Sequence, residues 1–385
     1  METSTPVREV LILRLIMNNF GPVNFCDFNL NRLMIFDGPQ AAGKSTVAKA
    51  VFYFRSVKDD FLKLFLINND ISDAENFLMN KFRQMFGSCD NFSLSFQFDS
   101  DFKIDIVNNK INFNKKISVK DISDIQKIFN DDKEIIYIPA GRSMLSIFSH
   151  QLNYIFAVLD DNQKNMIDYC TRNYIERILK IKPLLNQISS KKFYNPLADS
   201  LIQKILQGSY KYIDGNEKLQ LAQSDKNINI NFASSGQQDS LWILNLIYYY
   251  LANDKPTCFI IEEPESHLYP NTQKDIAEFI VCALTDKNDC IVTTHSPYIL
   301  GALNNILDVR RLFEAGFQDE ILKIVSRENI PLIDDCNEVS AYFIDDGKIL
   351  NAIDEDTGLI QNELIDGASE KINQLADQLL MIERG

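Results

Sequence analysis

The sequence has 385 residues, of which 45% are hydrophobic and 24% charged, a composition that excludes a disordered, collagen-like or coiled-coil chain and allows roughly two to three domains. Its 53 acidic and 39 basic residues give a formal net charge of −14, which disfavours a surface that binds nucleic acid through bulk charge. Because the first residues lack a signal-peptide pattern and no apolar stretch approaches the length of a membrane span, we expect a cytoplasmic protein that does not contact a membrane.

The first part of the chain has the pattern of a sheet followed by helices. Alternating apolar runs predict strands at residues 10–16, 23–30 and 33–36, separated by Asn-Asn, Gly-Pro and Asn-Arg breaks. A helical pattern follows at residues 44–54, and the apolar spacing over residues 59–86 predicts two or three more helices.

The middle of the chain changes from strands back to helices. Residues 93–113 alternate with a period of two, which is typical of an antiparallel meander, and the run IIYIPAG at 135–141 predicts a buried strand. A helical pattern then extends over residues 143–207 without a sustained heptad. This segment therefore cannot form a long coiled coil.

The last third of the chain indicates a parallel sheet. The apolar runs CFIIE (258–262) and CIVTT (290–294) flank a helical segment at 272–284, which is the pattern of a βαβ crossover. Two short strands are expected near 341–344 and 349–353, within a small α+β appendage.

Residues 38–45, GPQAAGKS, form a complete GxxxxGK[ST] loop between a predicted strand and a predicted helix. In such a loop backbone N–H groups bind phosphate oxygens, Lys44 reaches the β and γ phosphates, and the Ser45 hydroxyl ligates Mg²⁺. We therefore predict a site for ATP and Mg²⁺. Its ATP-binding residues are Gly38, Gln40, Ala42, Gly43, Lys44, Ser45 and Thr46.

Two adjacent acids, Glu262 and Glu263, end the apolar run CFIIE. In a P-loop protein the first acid at such a strand end holds Mg²⁺ through water, and the next polarises the attacking water. By itself the pair also fits a solvated strand end. The upstream P-loop favours a metal site with Ser45 and Glu262 as ligands and Glu263 as a catalytic group.

Four stretches resemble motifs of ABC-type ATPases of the SMC-like and OLD (overcoming lysogenization defect) groups, and they occur along the chain in the same order as in that family. NFGP (19–22) precedes the P-loop, SSGQQ (234–238) resembles the signature motif, EEPESHLYP (262–270) resembles the Walker B and D-loop run, and TTHSP (293–297) resembles the switch-histidine loop. The resemblance implies an α/β P-loop NTPase fold: an ABC-ATPase head with a mixed sheet, an antiparallel meander and an inserted helical lobe.

The same resemblance implies a nucleotide-sandwich dimer and assigns roles to single residues. Ser235, Gly236 and Gln238 would contact the γ-phosphate held by the other subunit. His295 would hydrogen-bond the γ-phosphate or the attacking water, and Glu263 would be the catalytic base.

The sequence departs from the family pattern at three positions. Glu262 replaces the usual Walker B aspartate, and Gln237 replaces the second glycine of the signature. Arg142 or Ser143 occupies the expected place of the Q-loop glutamine, and Arg142 either takes that role or forms a structural salt bridge. His267, in the D-loop stretch, is expected to support the dimer contact rather than bind a metal, because no Cys or His partner lies at ligand spacing.

We predict four regions from these motifs. Residues 1–142 would form the N-terminal ATPase lobe, 143–208 the helical lobe and 209–315 the C-terminal ATPase lobe. Residues 316–385 would form the α+β appendage, with a last helix that begins near Asp366.

The resemblance extends to OLD-like ATPases of bacterial anti-phage defence systems, such as the ATPase subunit of PARIS-type or related two-gene systems. It implies an ATPase that controls a separate effector, a nuclease encoded nearby. OLD nucleases carry a TOPRIM domain after the ATPase, and no Glu-then-DxD arrangement of the TOPRIM kind stands among the 90 residues after His295. The nuclease is therefore expected on another chain, and DNA binding is left open.

Three alternatives remain. A slow ATP-gated scaffold or sensor is favoured by Glu262 and Gln237. An SMC-like DNA-repair ATPase is disfavoured because the 191-residue spacing between Lys44 and Ser235 holds no coiled-coil pattern. The nucleotide-binding subunit of a membrane transporter is the least favoured, because it conflicts with the D-loop run and with the missing Q-loop glutamine.

Overall fold

The structure divides into two units of residues. The computed structural model describes residues 13–68, 70–129, 131–147, 151–185, 195–213, 216–224, 226–325, 331–333, 335–361 and 373–374. The first unit comprises the described parts of residues 1–30, 49–132 and 346–349, and the second unit comprises those of residues 31–48, 133–345 and 350–385. The four regions expected from the motifs stay a prediction.

The α/β fold class predicted from the sequence is confirmed by the elements of both units. The described strands are β1 (Arg14–Phe20), β2 (Val23–Asn29), β3 (Leu33–Asp37), β4 (Ser93–Gln97), β5 (Lys103–Val107), β6 (Lys110–Phe113), β7 (Glu134–Ile138), β8 (Gly208–Ile213), β9 (Asn216–Leu221), β10 (Asn227–Asn229), β11 (Thr257–Glu262), β12 (Asn288–Thr293), β13 (Val339–Asp345) and β14 (Lys348–Asn351). The described α-helices are α1 (Lys44–Arg55), α2 (Val57–Asn68), α3 (Ala74–Phe86), α4 (Ile122–Phe129), α5 (Ser143–Ile147), α6 (Leu152–Val158), α7 (Asp161–Asn165), α8 (Tyr169–Ile181), α9 (Pro196–Leu206), α10 (Ser235–Ala252), α11 (Pro270–Cys282), α12 (Pro297–Glu314) and α13 (Gln318–Ile324).

The first unit contains an antiparallel sheet with the strand order β6-β5-β4-β1-β2. Gly21 and Pro22 form the turn between β1 and β2, where Phe20 pairs with Val23 and Gly21 takes a φ of +57°. Buried and more exposed side chains alternate along β4, as expected for a strand with one face on the core. The buried ring of Phe20 contacts that of Phe82 on α3, with centroids 5.8 Å apart. Strands β4 to β6 are the predicted meander.

One strand boundary predicted from the sequence is wrong. The pattern places a strand at residues 10–16 and a break at Asn18 and Asn19, whereas β1 continues through both residues to Phe20. Asn18 Nδ2 donates a hydrogen bond to Ser93 Oγ on β4 at 3.1 Å, so its polar side chain is satisfied within the sheet. Residues 10–12 lie outside the described part of the chain.

The second unit contains a parallel sheet with the strand order β13-β3-β12-β11-β7. All residues of β3, β11 and β12 are buried, as expected for parallel strands covered on both faces. Since parallel strands end at the same edge, the loops after β3, β12 and β11 come together. These loops carry the P-loop, the switch histidine and the paired acids, respectively.

A small antiparallel sheet of β8, β9 and β10 was not predicted. It belongs to the second unit, where Tyr210 on β8 contacts Trp242 of α10 with ring centroids 5.8 Å apart. Lys182 and Glu217 form a buried ion pair at 2.8 Å.

The last region of the chain contains two short strands. Strands β13 and β14 match the two short strands predicted in the last region, but the helix expected from Asp366 lies outside the described residues.

Among the described helices, none combines the length and the apolar character that a membrane span requires.

Candidate functional site

The loop after β3 has a backbone that only glycine permits at its start. Gly38 and Gly43 have φ values of +142° and +117°. A Cβ on Gly38 would lie 2.1 Å from the carbonyl oxygen of Ile344 on β13, far inside a van der Waals contact. The loop then leads into α1 at Lys44, and the first N–H groups of a helix have no acceptor within the helix. The segment therefore offers free N–H donors to an anion.

The Lys44 side chain is held at the loop and is nearly fully buried. Its Nζ donates to the carbonyl oxygens of Gly38 at 2.6 Å and Pro39 at 2.8 Å. Burial lowers the pKa of the ammonium group, and the carboxylates of Asp37, Glu263 and Glu265 oppose that shift. The ammonium thus lies among acids and can exchange its carbonyl partners for phosphate oxygens.

Glu262, at the end of β11, presents a buried carboxylate that is only half satisfied. Its Oε2 accepts a hydrogen bond from the Ala140 N–H at 3.2 Å. The buried Oε1 has no hydrogen bond of good geometry among the described residues, although the buried Tyr137 hydroxyl interacts with the same carboxylate. A buried acceptor without a donor costs free energy, and a hard cation is the ligand that would satisfy a carboxylate oxygen. Glu262 therefore fits the predicted Mg²⁺ site, together with Ser45, which is exposed at the start of α1.

Glu263 and His295 face each other at the ends of neighbouring strands. His295 Nδ1 lies 3.7 Å from Glu263 Oε1, and both side chains are partly exposed. The Glu263 N–H donates to the Thr293 carbonyl oxygen at 2.9 Å, and its φ of +43° is uncommon for a residue with a side chain. The structure therefore brings the two predicted catalytic residues together, on the same side as Lys44.

Glu265 is a residue of this site that sequence reasoning missed. It is 4% exposed, and its Oε1 accepts hydrogen bonds from Thr294 Oγ1 at 2.7 Å and from the His295 N–H at 3.0 Å. It thereby fixes the loop that carries the switch histidine. Its position as the third acid of the run EEPE is a local signal for a site residue. Its hydrogen-bond partners, however, lie 29 and 30 residues away along the chain, so the sequence pattern does not reveal them.

Arg142 binds main-chain carbonyl groups instead of forming the expected salt bridge among the described residues, and its role in place of the Q-loop glutamine stays a prediction. It is 1% exposed and donates to the carbonyl oxygens of Pro139 at 2.7 Å, Glu262 at 2.6 Å, Glu263 at 2.9 Å and Asp239 at 3.3 Å. Burial lowers the pKa of the guanidinium group. Arg142 therefore holds the backbone that carries both catalytic acids.

The signature stretch forms the start of α10. Ser234 is the N-cap, and its Oγ accepts from the Gln237 N–H at 3.3 Å while Gln237 Oε1 accepts from the Ser234 N–H at 3.0 Å, a capping box. Ser235 is exposed and Gly236 half-buried, whereas Gln238 is buried and donates to the Ile230 carbonyl oxygen at 3.0 Å. The exposed side chains at this helix start are thus those of Ser234 and Ser235.

Comparison with known proteins gives one family and a set of similar structures. The family described as AAA ATPase domain matches residues 108–300, about half of the chain, including the signature, the paired acids and the switch histidine. No protein of curated function matches the sequence.

Three of the similar solved structures are SMC head domains. An SMC head bound to the C-terminal winged-helix domain of ScpA is 13% identical, with a TM-score of 0.46 over 89% of this chain and 97% of that chain. The SMC head domain from Thermotoga maritima is 10% identical, with a TM-score of 0.41 over 89% and 98%. An SMC head with an extended coiled coil, bound to the C-terminal domain of ScpA derived from Pyrococcus furiosus, is 12% identical, with a TM-score of 0.43 over 94% and 99%.

Proposed function

Because this chain belongs to the AAA ATPase domain family, we propose that it binds ATP with Mg²⁺ and hydrolyses it at the joint ends of β3, β12 and β11. The observation that carries this proposal is the convergence of three groups there. Lys44 is buried among acids, Glu262 has a buried oxygen without a hydrogen bond of good geometry among the described residues, and Glu263 faces His295. These are the groups that bind a triphosphate, hold its cation and activate water.

Different residues bind the phosphates, hold the cation and activate the attacking water. The free N–H groups of the loop and of α1 bind the phosphate oxygens, and Lys44 moves from its carbonyl partners to the β and γ phosphates. Ser45 and Glu262 would hold Mg²⁺, and the cation would neutralise charge on the phosphates. Glu263 accepts a proton from the attacking water, and His295 donates a hydrogen bond to the γ-phosphate.

The test separates binding from hydrolysis. Lys44→Ala should abolish ATP binding in calorimetry, whereas Glu263→Gln should bind ATP with unchanged affinity and lose hydrolysis by about a hundredfold or more. Unaltered ATP affinity in Lys44→Ala would falsify the assignment of the binding loop. Full hydrolysis by Glu263→Gln would exclude Glu263 as the base.

We further propose that the working unit is a dimer in which each nucleotide lies between the loop of one subunit and the signature of the other. Supporting this, Ser235 is exposed at the start of α10, beside the half-buried Gly236. Glu263→Gln should therefore accumulate as an ATP-bound dimer. A strictly monomeric sedimentation profile of this variant, at saturating ATP and micromolar protein, would contradict the shared site.

We also propose that the ATPase controls a separate effector in anti-phage defence. The support is the motif resemblance together with exposed apolar side chains in the helical segment of the second unit: Tyr154 is 71% exposed, Val158 61% and Met166 87%. Where exposed apolar side chains form one contiguous patch, they are typical of a surface that a partner covers, and these three are the candidates for such a patch. Co-expression with the products of neighbouring genes should recover a complex that Met166→Ser and Tyr154→Ser weaken. If no neighbour co-purifies at low salt, the effector proposal is wrong.

A further inference from the structure

His267 and Asp239 form a pair that the proposed hydrolysis does not use. Asp239 lies on α10 and is 1% exposed; its Oδ2 is hydrogen-bonded to His267 Nδ1. Its second oxygen, Oδ1, is buried and has no hydrogen-bond partner among the described residues. The His267 side chain, in contrast, is 58% exposed. A buried carboxylate thus holds an exposed imidazole.

This contact fixes the orientation of the ring. An ionised carboxylate can only accept hydrogen bonds, so Nδ1 of His267 carries the hydrogen. The other nitrogen, Nε2, is then left for a partner outside the subunit. In its imidazolium form the ring donates from both nitrogens, so Nε2 can donate to a phosphate oxygen while Nδ1 donates to Asp239.

The backbone holds the histidine beside the signature. His267 takes a φ of +59°, an uncommon conformation that costs free energy and tends to occur at functional sites. A Cβ on Gly236 would lie 2.7 Å from the His267 carbonyl oxygen, so the two chain segments are in close contact. His267 and the exposed start of α10 therefore share one surface.

The two histidines of the site have different partners. His295 lies near Glu263 and Glu265, the acids whose charges act on Lys44. His267 instead contacts Asp239 and lies against Gly236. It thus belongs to the face that, in the proposed dimer, meets the nucleotide of the other subunit.

We propose that His267 contacts the terminal phosphate of the ATP bound by a second copy of the chain, and that Asp239 is the positioning residue that fixes its ring. This inference rests on the proposed dimer, in which Ser235 faces the same phosphate. It adds a side-chain donor to the backbone groups of the signature.

Mixed dimers test whether His267 acts across the interface. His267→Asn is the variant of choice, because asparagine tolerates a positive φ but is too short to replace the ring. Alone, it should lower ATP hydrolysis by about tenfold or more, and it should also lower the thermal midpoint, because the buried Asp239 carboxylate loses its partner. When it is mixed with Lys44→Ala, hydrolysis should return, since each mixed dimer has one site with an intact loop and an intact histidine.

A second mixture places both substitutions on one chain and should lower hydrolysis instead of restoring it. A chain with both Lys44→Ala and His267→Asn, titrated into wild-type protein, should drive hydrolysis towards zero because its mixed dimers have no complete site. A histidine that acted within its own subunit would leave one working site in these dimers and none in the first mixture. Asp239→Asn should follow the pattern of His267→Asn, whereas a merely structural aspartate would not be rescued by Lys44→Ala.

Ser235→Arg mixed with Lys44→Ala is the matched control for the dimer itself. Recovery in this control without recovery in the His267→Asn mixture overturns the role of His267 and leaves the proposed function intact. Failure of the control contradicts the shared site, and the role of His267 falls with it. Wild-type hydrolysis by His267→Asn alone also overturns the proposal.

Discussion

At the end of β11, two buried charged side chains hold main-chain groups in place. Arg142 donates to four carbonyl groups, two of which belong to Glu262 and Glu263. Glu265 accepts from the Thr294 hydroxyl and the His295 N–H. Because a planar guanidinium has donors that point in several directions, lysine cannot replace it at such a position. These residues shape the site although neither is expected to touch the substrate.

Gly38 leads to a prediction at the scale of one residue. Gly38→Ala should lower the free energy of unfolding by about 3 kcal/mol or more, because its methyl group would overlap the Ile344 carbonyl oxygen in addition to the cost of a positive φ. Gly316→Ala is the matched control, since Gly316 has a φ of +93° and no atom within 4 Å of an added Cβ. It should cost only about 1 kcal/mol. Chemical denaturation measures both, and equal losses would show that the contact with β13 is unimportant.

Helix α10 illustrates how an element can account for a departure from a family motif. Gln237 stands where the signature has a glycine, and it completes the capping box with Ser234. Its Nε2 also donates, at 2.7 Å, to the carbonyl oxygen of Leu206, the buried last residue of α9. The glutamine therefore stabilises the start of a helix whose Trp242 and neighbouring side chains are buried.

The capping box yields a prediction at the scale of the element. Gln237→Gly, which restores the family residue, should lower the free energy of unfolding by about 1–2 kcal/mol through loss of the cap and the low helix propensity of glycine. Gln237→Glu keeps an acceptor for the Ser234 N–H and should cost less. Thermal unfolding followed by circular dichroism compares the two. A stability of Gln237→Gly equal to that of wild type would show that the box contributes nothing.

At the scale of the whole molecule, the net negative charge and the positively charged groups of the site act on a nucleotide in opposite directions. The net charge of −14 opposes the approach of an anionic nucleotide at long range. The local groups act differently, because Lys44, the free N–H groups of α1 and a bound cation concentrate positive potential where the phosphates would lie. Binding should therefore depend strongly on Mg²⁺.

Ligand linkage gives the corresponding prediction. ATP that binds only the folded protein should raise the free energy of unfolding by about 2.7 kcal/mol when it is present at roughly one hundred times its Kd. The increase should require Mg²⁺ and should be absent in Lys44→Ala. Thermal shift measurements with ATP, with and without EDTA, provide the check. A shift of the same size in Lys44→Ala would place the nucleotide elsewhere.

Much of the fold was predictable because its signals are local. The loop GPQAAGKS, the alternation over residues 93–113 and the continuous apolar runs of β11 and β12 are each legible within a short window of sequence. The same holds for the positions of Lys44, Glu262, Glu263 and His295 on loops after buried strands. Their chemical roles stay predictions, and so does that of Ser235.

Features that depend on distant partners were decided by the tertiary structure. Asn18 continues β1 because Ser93 accepts its hydrogen bond, and the short strands β8 to β10 form a sheet through pairing with one another. The contacts of Glu265 with residues 294 and 295, of Asp239 with His267 and of Arg142 with β11 join side chains separated by 28 to 121 positions. Periodicity and motif spacing report which face of an element is buried, whereas these pairs exist only because the sheet brings separate loops to one edge.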